Sequence, residues 1–165
     1  IVRFLRKYIP GFEKAYLTAS HPVVGVRESR RIVGDYILAT DDVLQNRTFE
    51  DGVMVTPWRP ASGHNPDGKL VDETYPKEGI TGAELPYRCL LPKGIEGLLV
   101  AGRCGSATHL GHAAGKSMGN MMALGQAAGT AAALATAQRQ RPRDIDRTRL
   151  QEICNRINAL SRRTS

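Results

Sequence analysis

GLLVAGRCGSATHLGHAAGKSMGNMMALGQAAGTAAALA, residues 97–135, is the stretch on which the fold turns. Its opening, Gly97 to Gly102, is apolar throughout and ends in glycine, the pattern of a buried parallel strand feeding a loop. From about Ser117 to Ala137 the composition turns to alanine and glycine, which predicts a long helix. Gly102 to Lys116 forms the glycine-rich loop between them. A strand, loop and helix in that order aim the free N–H groups and positive dipole end of the helix at a ligand beyond the strand's carboxyl end. An anion or an electron-rich ligand is implied. Residues 117–138 carry no charge, and 22 residues are enough to cross a bilayer. Asn120, Gln126, Thr130 and Thr136 among alanines would drive insertion only weakly, so the expectation is a soluble helix buried on nearly all sides, with no membrane span. Gly125, Gly129 and Ala133, four apart, form a side-chain-poor stripe where backbone is expected to pack on backbone.

Working outward, an opening helix should stop at Ile9, because Pro10 disfavours helix in the residue before it. Phe12 to Leu17 reads as a short helix or strand. The β-branched and aromatic run Ile32 to Leu38 predicts a strand, after which Thr40 caps a short helix through Leu44. Residues 46–82 are turn-rich, with a brief strand at Gly52 to Val55 inside an irregular excursion of the kind that forms lids or walls. Leu85 to Leu91 is an edge-like strand because Pro86 cannot donate to a ladder. Asp146 caps a terminal helix carrying Leu150, Ile153, Cys154, Ile157 and Leu160 on one face.

At 165 residues and 18.0 kDa the chain has the size of one ordinary domain. Hydrophobic residues at 41% and charged ones at 24% exclude wholesale disorder, collagen and coiled coil. The 17 glycines are about a tenth of the chain, so backbone must approach something closely. The net charge of +7 comes from the ends: residues 1–31 hold seven basic and two acidic side chains, residues 139–165 eight and three, and the stretch between eight and eleven. The glycine-rich middle is thus mildly acidic, which argues against nucleic acid as a partner. Cys89, Cys104 and Cys154 lack the spacing of a zinc site or a disulfide framework. Ile1 to Ile9 interleaves Arg3, Arg6 and Lys7 with apolar residues in an amphipathic pattern unlike a secretory leader, so a cytoplasmic location is favoured. The chain reads as if it starts inside a helix of something longer.

GHAAGKS, residues 111–117, approaches a phosphate-cradling loop, but Leu110 stands where the motif's first glycine belongs. G-x-G-x-x-G is absent from the chain. The run from Leu85 to Ala135, with RESRRIVGDYILATDDV at 27–43 upstream, resembles the carboxyl-terminal part of FAD-dependent oxidoreductases of the FAD-oxidored family, distant relatives of fumarate reductase and succinate dehydrogenase flavoproteins. The resemblance implies an α/β fold, a C-terminal fragment of a Rossmann-like FAD-binding domain with part of a β-rich substrate domain. On that plan residues 1–92 are a linking helix and part of the substrate-facing β region, 93–140 the strand, loop and helix of the FAD domain, and 141–165 a C-terminal amphipathic helix. It further implies FAD as cofactor, with Ala101, Gly102, Arg103 and Cys104 on the ribityl and ring side and Ser117, Met118, Gly119, Asn120 and Met121 bringing a helix N-terminus to the isoalloxazine. Where the family commonly has Arg and, three positions on, Pro, this chain has Lys116 and Gly119.

His112, Arg88 and His64 are the candidates for chemistry: histidine shuttles protons and arginine fixes a carboxylate or polarises a carbonyl. His109 and Tyr87 lie on the same loops. The Arg27 to Arg31 cluster is expected to pair with Glu28 and Asp35, and Cys104 to be small buried filler. The partners implied are a small organic substrate and either the missing N-terminal FAD-binding segment or a second copy. In the intact enzyme a hydride would pass between substrate and flavin, while the fragment alone would be inactive and bind FAD poorly. Two rivals stand beside this reading: an interaction module using the Ala/Gly helix, and nucleotide binding through GHAAGKS.

Overall fold

The computed structural model describes residues 1–26, 29–56 and 82–156. Helix α1 is Val2–Tyr8, α2 Thr40–Leu44, α3 His109–Gly115, α4 Met118–Gln138 and α5 Arg147–Arg156, with strands β1 Gly52–Thr56 and β2 Ala83–Pro86. Short 3₁₀ turns cover Tyr87–Leu90 and Pro142–Asp144. Helices with an antiparallel pair of strands make this an α/β arrangement. Its core joins Leu38, Val43, Val53, Tyr87, Leu124 and Leu150.

The α4 helix lies where its sequence predicts. Ser117 is its N-cap, the side chain accepting from the Asn120 N–H, and Arg139 in the left-handed region (φ 53°) closes it, while Gln140 N–H reaches back to the Ala135 carbonyl at 2.9 Å. Burial is another matter. Asn120, Leu124, Ala127, Ala131 and Ala135 form the inward stripe, whereas Met118, Met122, Gly125 and Gly129 are exposed. The expectation of a helix buried on nearly all sides is corrected, as is that of a packed glycine stripe: alanines make the close contact and the glycines face outward.

The segment 32–38 runs between two neighbours. On one side Ile32 N–H donates to the Cys104 carbonyl and Leu38 N–H to that of Ser106. On the other, Tyr36 N–H donates to the Arg88 carbonyl and Asp35 N–H to that of Leu91. Bridges form at Gly34 with Pro92 and at Leu38 with Ala107, so the strand expected at Ile32 to Leu38 survives as two isolated bridges. Ser106 fills the gap between rungs, its Oγ accepting from Gly34 N–H at 2.9 Å and donating to the Tyr36 carbonyl at 2.6 Å. The strand expected at Gly97 to Gly102 does not form. Its Val100 N–H donates to the Leu90 carbonyl, Leu98 is 45% exposed, and the edges of segment 32–38 are already taken by 88–93 and 104–108.

Three further boundaries move. Pro86 ends β2, and the chain coils into a 3₁₀ turn instead of running extended to Leu91. Thr40 is the first residue of α2 and not its cap: Ala39 is the N-cap, its N–H donating to the Asp42 carboxylate at 2.9 Å. Phe12 to Leu17 is turn and irregular chain. The terminal helix behaves as expected, with Asp146 Oδ1 accepting from Arg149 N–H at 3.1 Å and Leu150 and Cys154 buried; Ile157 and Leu160 lie outside the described residues. Arg143 anchors that end of the chain, donating to Asp35 and to Glu96.

Close approach, which the glycine content announced, occurs between segments of the chain. A Cβ at Gly34 would sit 2.9 Å from that of Ser106, and a Cβ at Gly111 would overlap the Leu38 carbonyl oxygen. Overpacking of this kind costs roughly 1–3 kcal/mol, so Gly111→Ala should lower the denaturant midpoint by about that much stability. At Gly125, where a Cβ meets nothing, Gly→Ala should instead stabilise by about 0.5–1 kcal/mol.

Candidate functional site

The loop after Ala101 turns at Gly102, whose φ of +104° suits glycine, and closes with Gly105 N–H donating to the Gly102 carbonyl at 3.0 Å. At Thr108 the chain re-enters helix. The Thr108 Oγ1 accepts from Gly111 N–H at 3.3 Å and starts α3, a helix within what the sequence suggested was loop. Because Gly111 to Gly115 are helical and buried, GHAAGKS offers no non-helical cradle for a phosphate, and the nucleotide-loop rival loses its structural basis. Lys116 and Ser117 join α3 to α4.

Between loop 102–107, α3 and the start of α4 lies a cavity of about 20 Å³, room for roughly one water. Gly102, Gly105, Ser106, His112, Met121 and Leu124 are among its lining residues. Two segments predicted to serve one ligand therefore meet, and His112, only 4% exposed, meets them.

The remaining expected residues divide. Ala101 is half-buried, and Arg103 and Cys104 are exposed, so Cys104 is not the buried filler expected; the Arg103 guanidinium donates to the Val26 carbonyl at 2.7 Å. Met118 and Gly119 are exposed at the α4 start. Asn120 turns inward, its Nδ2 donating to Thr56 Oγ1 at 2.9 Å. Arg88 grips Asp51 with two side-chain bonds, Nε to Oδ2 at 2.9 Å and NH2 to Oδ1 at 3.0 Å, while its backbone N–H takes the same carboxylate at 3.1 Å. It also lies 5.2 Å over the Tyr36 ring. Asp51 holds its guanidinium above the usual arginine range. Asp35, expected to pair with the Arg27 to Arg31 cluster, is engaged by Arg143. Arg27, Glu28 and His64 lie outside the described residues.

Sequence reasoning missed Asp51, Thr56 and Ser106, all buried. The available signal was a polar residue closing or interrupting an apolar run, as Thr56 closes Gly52 to Val55. Among the described residues no group of three or more His, Cys, Asp and Glu is placed to hold a metal, and no helix is long and apolar enough to cross a membrane.

In the comparison with known families, residues 1–154 match the FAD dependent oxidoreductase family. The chain belongs to that family. FAD is accordingly its cofactor, and its chemistry is that of a flavoprotein oxidoreductase. Neither the curated proteins nor the solved structures gave a match.

Burial pushes the Cys89 thiol up from 9.0 to about 12, and burial followed by the bond to Asp42 pushes the Tyr36 hydroxyl up from 10.0 to about 12. Both groups ionise earlier in the unfolded chain. Their contribution to stability is complete below about pH 9 and is lost as pH rises towards 12. Chemical denaturation across that window should show falling stability, and Cys89→Ala should flatten the fall by on the order of a few kcal/mol. Cys104, being exposed, should react with a thiol reagent in the folded chain while Cys89 and Cys154 resist.

Proposed function

We propose that this chain supplies the ring-facing side of an FAD site in an oxidoreductase that passes a hydride between a small organic substrate and the flavin. The convergence of Gly102 and Gly105 with Met121 and His112 on one cavity carries the reading. A tricyclic ring does not fit inside about 20 Å³. The ring would lie outside the cavity: a Cβ added at Gly102 or Gly119 would meet no atom within 4 Å, so the backbone at these two positions is open to a ligand. FAD, when bound, supplies a two-electron centre that accepts or gives up a hydride.

The protein's own groups do the rest. The first-turn N–H groups of α4 and its positive dipole end favour negative charge on whatever lies against Met118 and Gly119. Ser117 caps the helix and keeps that turn wound. His112, beside the cavity, is the group we assign to holding and moving a proton, and His64, placed by sequence alone, is assigned to the same work on the substrate side. Arg88 acts through Asp51 and Tyr36, fixing the turn at Tyr87–Leu90 whose Cys89 and Leu90 also line the cavity. G-x-G-x-x-G is absent, so in this proposal the FAD pyrophosphate is held outside these 165 residues and the chain by itself holds FAD weakly.

Adding FAD to concentrated protein should quench flavin fluorescence and displace its visible absorption. Gly119→Asp separates ligand electrostatics from folding. A carboxylate in the first turn stabilises a helix by roughly 0.3–1 kcal/mol, yet opposes negative charge on the ligand, so stability should hold or rise while FAD binding falls about tenfold. Unchanged FAD binding in that variant, or no response of FAD to the natural chain, defeats the proposal.

A further inference from the structure

Strand β1 ends at Thr56, which has no exposed surface. Its Oγ1 donates to the Ala114 carbonyl at 2.9 Å and accepts from Asn120 Nδ2 at 2.9 Å. Ala114 belongs to the last turn of α3, where a carbonyl has no partner further along its own helix, and Asn120 belongs to the first turn of α4. One hydroxyl thus joins the end of a strand, the end of one helix and the start of another, across the short junction Lys116–Ser117. Around it are the cavity residues: His112 lies two positions before Ala114, and Met121 directly follows Asn120. Thr56 is also the register partner of Ala83, so both ends of the 57–81 connection are rooted at this point.

We propose that Thr56 is a positioning residue for the flavin-facing end of α4, its hydroxyl setting the angle between α3 and α4 by holding Ala114 O and Asn120 Nδ2 together. The inference rests on the flavin reading above. The field of a helix start helps a ligand only when the N–H groups point at the charge, and that alignment has to exist before the ligand arrives. A two-residue junction has few internal bonds to fix an angle. A buried hydroxyl with one bond in each direction fixes it, because rotating either helix leaves a buried polar group unsatisfied.

The test compares Thr56→Val, which keeps the shape and removes the hydroxyl, with Thr56→Ser, which keeps the hydroxyl. Amide hydrogen exchange at Asn120 and Met121, whose N–H groups donate to Ser117, reads the helix start without any ligand, and titration with FAD reads its alignment. For Thr56→Val we expect exchange there to quicken about tenfold, FAD to bind about tenfold more weakly and the displacement of its visible band to shrink. Thr56→Ser should stay within about twofold of the natural chain on all three. The inference is overturned if Thr56→Val leaves FAD binding and its spectrum unchanged, even with faster exchange, since the hydroxyl would then be structural only. Failure of Thr56→Ser to rescue overturns it as well, by assigning the effect to packing of the methyl. If FAD ignores the natural chain too, the flavin reading is what fails, and exchange alone then decides whether the hydroxyl sets the helix start. Should Thr56→Val not fold, Asn120→Ala, which removes the donor and leaves the bond from Thr56 to Ala114, is held to the same expectations.

Discussion

The Leu38 carbonyl is the fixed point around which the rest is arranged. It accepts the Thr108 N–H at 2.9 Å, and the bare Cα of Gly111 lies against it one turn later. Since Thr108 caps α3, this contact sets where that helix begins and which way it runs, and through the short junction it also sets where α4 begins. Side chains of ordinary size would hold the backbones apart. Glycine at 34 and 111, with Ser106 inserted as a substitute rung, brings segments 32–38 and 104–108 near enough for their backbone groups to pair.

Three buried carboxylates organise the stretch before β1 and around β2. Asp42 takes Tyr36 OH, Ala39 N–H and Arg47, Asp51 takes Arg88, and Glu84 accepts the Phe49 N–H at 2.7 Å. Burying charge is a poor source of stability, because desolvation consumes much of what pairing returns. Its effect lies in specificity: each carboxylate has one neighbourhood in which its acceptors are satisfied, so residues 42–51 have one way to lie. The Tyr87–Leu90 turn is held in place from that side, and with it one wall of the cavity.

The boundaries of α1, α4 and α5 were legible from residues beside them, whereas α3, which Thr108 caps, was expected as loop. Pro10 beyond α1, Ser117 before α4 and Asp146 before α5 are local devices, readable without knowing the rest of the chain. Strands were not, for a physical reason: Gly97 to Gly102 has the composition of a buried strand, but a strand is defined by a neighbour, and composition does not say whose edges are free. Burial of α4 failed in the same way. Its alanine and glycine stripes look alike in sequence, and only the contacts with β1 and α5 decide that Ala127 and Ala131 face inward. Of the site, Gly102 and Met121 were legible through the family's motifs, whereas Thr56 and Asp51 act across long separations that no local pattern marks. Asn120 shows the cost of carrying a motif over whole: its side chain points into the protein, onto Thr56.

The two ends of α4 complete the argument. Asp41 and Asp42 occupy the first turn of α2, and Asp146 caps α5, so those helix starts have carboxylates of their own. In α4 the first turn holds no acidic residue and the last no basic one, and nothing charged lies between. A neutral serine satisfies one N–H and leaves the positive end of a 21-residue helix uncompensated at exposed Met118 and Gly119. The starts of α1 and α3 likewise lack an acidic residue, but α4 is the longest of the three, and its start leaves room for negative charge brought by something else. In the function proposed above, the reduced flavin ring supplies that charge.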